Sequence, residues 1–257
     1  MPPKSPLLAL YAALLYAFLH IPLLILIAFS FNASRFSVWQ GFSLNWYRAM
    51  FHDPALAEAA RNSIVIAVTS AIISTAVGTA AAYGMWKRRA PVLEGSLYLT
   101  LLTPDIVTGI SLLAFFQWLF RWLPFRLGLA TVILAHVAFS IAYVTVVVSA
   151  RLRGIGPSLE EAALDLGASA WQAFRRVTLP LIVPAMAAAA LLALVVSFDD
   201  YVITSMVTGV DSETLPMVIY AMARRGPSPV LNAVSSVTVV LFGALILLSE
   251  RVRSRIT

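Results

Sequence analysis

The chain has 257 residues, of which 60% are hydrophobic and only 12% charged, with a mean hydropathy of +0.88. A water-soluble domain carries about 25% charged residues, so charge is too scarce here to cover a polar surface, and lipid must solvate much of the chain. The net charge of +6 and pI near 10.0 do not mark a nucleic-acid binder, because the basic residues sit in short clusters between long apolar runs, as charges flank membrane helices.

Taken in order, six apolar segments are long enough to cross a bilayer of about 30 Å. They run from Leu7 to Phe31, Ser63 to Trp86, Ser96 to Phe120, Leu127 to Ser149, Leu181 to Ser205 and Val230 to Ser249. The backbone must satisfy itself at that depth, so each is expected to be a helix and the chain an all-α membrane protein. The first segment, behind Lys4, exceeds the roughly 7–15 apolar residues of a signal-peptide core and reads as an uncleaved span. After it, Trp46, Tyr47, Met50 and Phe51 fall at helical spacing, as in a helix lying at the interface. Asp53-Pro54 then offers an N-cap and a first-turn proline.

The second segment is rich in small residues, among them Ser70, Ala71, Ser74, Thr75, Gly78, Thr79, Ala82 and Gly84, which let helix backbones approach closely. With a cytoplasmic N-terminus, eleven basic residues lie inside and seven outside, and the Lys87–Arg89 and Arg251–Arg255 clusters abut helix ends on the inner side. Both termini are therefore expected in the cytoplasm. No repeat divides the chain, which reads as one membrane domain over 1–257. There is no cysteine, and His20, His52 and His136 lack ligand spacing, so no metal site is expected.

The loop at about 151–180 carries explicit helix punctuation. Gly156-Pro157 breaks the fourth segment; Ser158 and Glu161 form a candidate capping box. Leu159, Ala162, Ala163 and Leu166 then fall on one face of a short helix, with Glu160, Glu161 and Asp165 on the other. Gly167 is the expected left-handed stop. Ser169 with Gln172 opens a second helix through Trp171, Phe174 and Arg175, which Leu179-Pro180 closes. A helix this short rarely survives alone in water and needs a surface to pack on.

Glu161-Ala162-Ala163, Gly167, Val177, Leu179 and Pro180 resemble the EAA loop of ABC-importer permeases, with the family's spacing throughout and Val177 in place of isoleucine. The resemblance implies the type I importer permease fold, with about six spans and a cytoplasmic coupling helix. It assigns contact with a cytoplasmic ABC ATPase dimer to Ser158, Glu160, Glu161, Ala162, Ala163, Asp165, Leu166, Gly167, Ala168, Leu179 and Pro180. ATP and Mg would be bound by that partner. The only lysines here, Lys4 and Lys87, belong to no phosphate loop, so the subunit is expected to be non-catalytic and to bind no cofactor itself. The family also implies a second, similar permease, different rather than identical, an extracytoplasmic solute-binding protein, and residence in a bacterial inner membrane.

Phe29 to Asn32, Trp46-Tyr47, Pro104 to Val107, Gly109 to Ser111, Ala135-His136, Phe198 to Asp200, Thr214 to Met217, Pro229 and Asn232-Ala233 extend the resemblance, towards the second permease subunit of spermidine/putrescine importers. The acids agree with a cationic cargo. Asp105, Asp199 and Asp200 sit within or near the ends of apolar segments, where a carboxylate is costly unless it faces water or a partner. Aromatic faces such as Trp118, Tyr143 or Tyr201 would add cation–π contact. Equally, Asp199-Asp200 would cap and bend a helix, and Asp105 would serve backbone groups freed by Pro104. The other readings are a permease for an amino acid derivative, an anion or a metal chelate, a secondary transporter, and a six-helix intramembrane enzyme. For the last, Gly167-Ala168-Ser169-Ala170 lacks the glycine that a Gly-x-Ser-Gly nucleophile needs.

Overall fold

In the computed structural model the described residues are 6–35, 38–88, 90–226 and 228–256, with side chains described as far as residue 244. Lys4, Arg89 and the side chains of Arg251, Arg253 and Arg255, which carry part of the charge bias, lie outside that set. The described chain is helical: α1 (Pro6–Ser30), α2 (Asn45–Phe51), α3 (Pro54–Lys87), α4 (Pro91–Leu102), α5 (Asp105–Leu119), α6 (Leu129–Ile155), α7 (Ser158–Asp165), α8 (Ala170–Ala173), a π turn (Phe174–Thr178), α9 (Leu179–Asp199), α10 (Val202–Val207), α11 (Leu215–Arg224) and α12 (Pro229–Ile256). Among the described residues four helices are long and apolar enough to cross a membrane, and the bent pair α4–α5 would make a fifth.

Two of the six expected spans are not simple straight helices. The third bends by 112° between α4 and α5. Thr103, extended at ψ 129°, precedes Pro104, whose ring disfavours helical geometry in the residue before it. The fifth stops at Asp199 and restarts as α10, because Asp200 turns extended and its carboxylate takes the N–H groups of Ile203 (3.3 Å) and Thr204 (2.7 Å). At its other end the same span does not begin at Leu181. Leu179-Pro180 fails to break the chain, and one helical run extends from Ala170 to Asp199 through the π turn. There Leu179 N–H donates to Phe174 O, five residues back, and the widened turn absorbs a proline that has no N–H to give.

Two compact units form, one from the residues up to Glu58 with those from Val218 onward, the other Ala59–Met217. In the first, α12 packs against α1 and α2. Of α1 only Ser30 is buried, its hydroxyl bonded to Ile27 O (2.6 Å) and 2.6 Å from Tyr47 OH. Asn32, 1% exposed, ties the following loop: its amide donates to Val38 O (2.9 Å) and accepts from Gln40 N (2.9 Å). The loop is closed by Trp46 Nε1 on Asn32 O (2.7 Å) and by Phe31 stacked on Phe42. Asp53 accepts from Ala55 N (2.9 Å) and Leu56 N (3.3 Å), so α3 starts at Pro54 as its cap signal implies, nine residues ahead of the apolar run at Ser63.

In the second unit α6 is central, packed against α9, α4, α5 and α10. One apolar cluster joins Ala71 and Ala82 of α3, Val144, Val148 and Leu152 of α6, and Ile182, Ala189 and Ala193 of α9. Another gathers Ile66, Phe116, Val132, Ala135, Phe139, Ile203 and Val207. The small residues of α3 do allow a close crossing: a Cβ at Gly78 would sit 2.8 Å from Val144 Cβ. Gly84 faces open space instead. Gly78→Leu is therefore expected to destabilise the folded protein by at least the about 1–3 kcal/mol typical of overpacking. Gly84→Ala should leave stability unchanged or raise it slightly. Thermal unfolding in detergent, followed by size-exclusion chromatography, compares the two; equal stabilities would contradict the tight α3–α6 crossing.

Candidate functional site

Two arrangements lie at different places in the second unit. The first is the 158–178 loop. Pro157 already adopts helical angles (φ −82°, ψ −18°) and its carbonyl accepts from Glu160 N (3.1 Å) and Glu161 N (3.0 Å), so Ser158 is the first helical residue and makes no side-chain cap. The expected Ser158–Glu161 capping box is absent because the proline occupies the cap position. The stop is as expected. Gly167 has φ +88°, Gly167 N–H donates to Leu164 O and Ala168 N–H to Ala163 O, the paired bonds of a Schellman ending. The second box forms: Ser169 N–H donates to Gln172 Oε1 (2.9 Å) and Gln172 N–H to Ser169 Oγ (3.3 Å).

The apolar face of α7 is left outward, and a single acid of the other face turns in. Leu159 is 51% exposed and Leu166, just past the helix, 90% exposed, whereas Glu160 is the one buried residue of α7, at 2%. Glu161, Ala162 and Asp165 are exposed and Ala163 is half-buried. The reason is a set of partners on α3 and the π turn. Lys87 Nζ lies 2.5 Å from Glu160 Oε1, Tyr83 OH donates to the same oxygen (2.8 Å), and Thr178 donates to Oε2. Burial by itself would raise this carboxyl's pKa, but the ammonium and hydroxyl donors outweigh it and hold the group below its ordinary value. With a folded value below the unfolded one, the stabilisation is complete above about pH 4–5 and is lost only as pH falls through the depressed value. At neutral pH the anchor is fully formed. Nothing in the sequence marks Tyr83 or Thr178; the one signal for this anchor is the lone lysine, Lys87, at the end of a long apolar helix.

The second arrangement is a cavity of about 350 Å³ between α4, α5, α6, α9 and α10. Asp105, Tyr143, Asp199, Asp200 and Tyr201 all line it, together with Thr100, Thr103, Thr108 and Phe139. The two helix breaks build it: the bend at Pro104 brings Asp105 to the start of α5, and the break after α9 exposes Asp199. Trp118 is not part of the lining; it stands on α5 with its ring 6.3 Å from Phe115, exposed. Among the described residues no Lys or Arg lines the cavity.

The acids differ in their surroundings. Asp200 is occupied, taking the Thr204 hydroxyl (2.7 Å) besides the backbone donors of α10, and its Oδ2 lies 3.4 Å from His136 Nε2. His136 is fully buried, with Nδ1 2.6 Å from Ser197 Oγ and Nε2 2.9 Å from Thr204 Oγ1. Ser197 in turn meets Ser70 of α3 (2.9 Å). This polar chain ties four helices and satisfies groups that would otherwise be costly at that depth. Asp105 and Asp199 are exposed to the cavity, and neither carboxylate has an ion-pair partner among the described residues. No cluster of three or more His, Asp or Glu able to hold a metal occurs among those residues either.

Residues 74–256 match the family described as the binding-protein-dependent transport system inner membrane component. The chain is 40% identical over 240 residues to the spermidine/putrescine transport system permease protein PotC of Escherichia coli K12, covering 92% of this chain and 89% of that one. It is 38% identical over 266 residues to the putrescine transport system permease protein PotI of the same organism, covering 98% and 94%. Among solved structures, a bacterial ABC transporter involved in the import of the acidic polysaccharide alginate superposes with a TM-score of 0.78 over 97% of this chain and 96% of that one. At 18% identity that likeness speaks for the fold alone.

Proposed function

The chain belongs to the family of binding-protein-dependent inner membrane transport components, and from that premise we propose that the cargo of this permease subunit is a polyamine, met by Asp105 and Asp199 in the cavity. The subunit is part of an ABC importer and is a transport component rather than an enzyme. The observation that carries the cargo is the cavity itself: two carboxylates without an ion-pair partner among the described residues, the rings of Tyr143 and Tyr201, and no basic residue in the described lining. A polyamine presents ammonium groups separated by methylenes, which suits carboxylates for charge pairing and aromatic faces for cation–π contact. An anionic cargo such as the alginate of the structural neighbour finds no complementary charge there. The named relatives carry spermidine and putrescine, which supports the same reading.

The exposed apolar residues Leu159 and Leu166 of α7 and its C-terminal end supply the face that seats in the groove of a cytoplasmic ATPase dimer, which binds ATP and Mg. Closure of that dimer then rocks the spans between outward- and inward-open states. A second, non-identical permease completes the passage, a solute-binding protein delivers cargo from outside, both termini lie in the cytoplasm, and residues 1–257 act as one permease domain. Expression with the proteins encoded beside it provides the test. An ATPase should co-purify, and the assembly in liposomes should accumulate labelled spermidine or putrescine only with ATP inside. Retention of no ATPase overturns the driven-importer reading; accumulation of other solutes but no polyamine overturns the cargo.

A further inference from the structure

We propose that Glu160 and Lys87 form a tie that passes the motion of α7 into the span helices, so that the pair sets how much transport each ATP yields. The inference rests on α7 being the ATPase-docking helix and adds how its motion leaves the loop.

An eight-residue helix has little stability of its own, and α7 buries none of its leucines; its one buried side chain is a carboxylate. What holds it to the unit through side chains is therefore ionic and directional. Both oxygens of Glu160 are engaged, Oε1 by Lys87 and Tyr83 near the end of α3, Oε2 by Thr178 in the π turn that leads into α9. Aromatic rings stiffen the α3 side. Lys87 Nζ lies 5.0 Å from the centre of the Trp86 ring and 5.7 Å from that of Tyr83, and Tyr83 packs on Phe174 at 4.7 Å. A push or pull on α7 thus reaches two long helices at once, α3 and, through Thr178, α9. An apolar contact of the same size would be no less stable, since buried ion pairs seldom out-stabilise well-packed hydrophobics. It would, however, slide under load, whereas a four-group hydrogen-bonded junction fixes register.

The placement also separates docking from transmission. The tie faces the unit, and Leu159 and Leu166 are exposed, so the two are open to independent mutation.

The test uses the assembled transporter in liposomes and reads spermidine transported per ATP hydrolysed, alongside ATPase retention on purification. Glu160→Gln and Lys87→Met are each expected to keep the ATPase bound and to lower that ratio about tenfold. Lys87→Arg should keep most of the ratio. The double variant Glu160→Gln with Lys87→Met should fall less than the product of the two single losses, because neither charge is then left without its partner. Should a single variant fail to fold, Tyr83→Phe, which removes one donor and keeps the ring, is expected to give an intermediate loss. Wild-type ratios in the single variants, or losses that simply multiply in the double, overturn the tie. If the unmodified assembly holds no ATPase, the docking reading fails instead, and the two failures are distinct.

Discussion

Leu166→Glu is expected to abolish ATP-driven uptake while leaving the permease inserted and folded. At 90% exposure Leu166 supports nothing within its own chain, so the change should be nearly silent for stability. Its cost falls on the docked state. A carboxylate desolvated in an apolar contact shared with Leu159 costs at least about 2 kcal/mol, which is about 30-fold in affinity. ATPase retention and uptake should fall together, and vesicles should show unchanged amounts of the permease. Retained ATPase with normal uptake would contradict α7 as the docking element. Gly167→Leu should act in the same direction by another route. A leucine at φ +88° is strained by about 1–2 kcal/mol, which unseats the Schellman ending and tilts the helix.

The second large effect separates two neighbouring acids. Asp199→Asn is expected to raise the KM for spermidine uptake about 10- to 100-fold, because a hydrogen bond to a charged group is worth about 1.5–3 kcal/mol, with little change in thermal stability. Asp200→Ala should do the reverse. It removes the cap of α10, a loss of about 0.5–2 kcal/mol, and takes one acceptor each from Thr204 and His136, which keep each other and Ser197 as partners. The melting temperature should fall and the KM of the surviving protein should move little. Uptake kinetics and thermal unfolding on the two variants decide it. If Asp199→Asn transports spermidine with wild-type kinetics, the cavity is not the cargo's path.

The pattern of what could be read follows from locality. Caps and stops at Asp53, Gly167 and Ser169–Gln172 depend on a few adjacent residues, and each forms as its sequence implies. The EAA-like spacing is equally local, and it identified the loop. The orientation of α7 is not local. Eight residues with apolar and acidic faces do not say which side turns inward; here Lys87 and Tyr83, more than seventy positions away, draw in Glu160 and leave Leu159 and Leu166 exposed. The helix breaks are half legible. Pro104 and Asp199-Asp200 show in the sequence as places where a helix bends or is capped, but the size of the bend, and the fact that two bends meet at one cavity, depend on how α4, α5, α9 and α10 pack. Trp118 fell outside the cavity because aromatic character alone does not tell which way a ring on a long helix faces. The π turn has no sequence signature at all.

That turn also keeps the loop and the cavity in phase. An α-helix advances about 100° per residue, and the π turn at Phe174–Thr178 winds one extra residue into a single turn. Deleting one residue there would let an ordinary ladder close and would leave the facing of Ser197 and Asp199 unchanged. Deleting one further along α9, in regular helix, would turn its end by about 100° about the axis. Asp199 would then leave the cavity it lines, and Ser197 would leave His136. The register between loop and cavity thus tolerates a change of length at the π turn and not along the rest of α9.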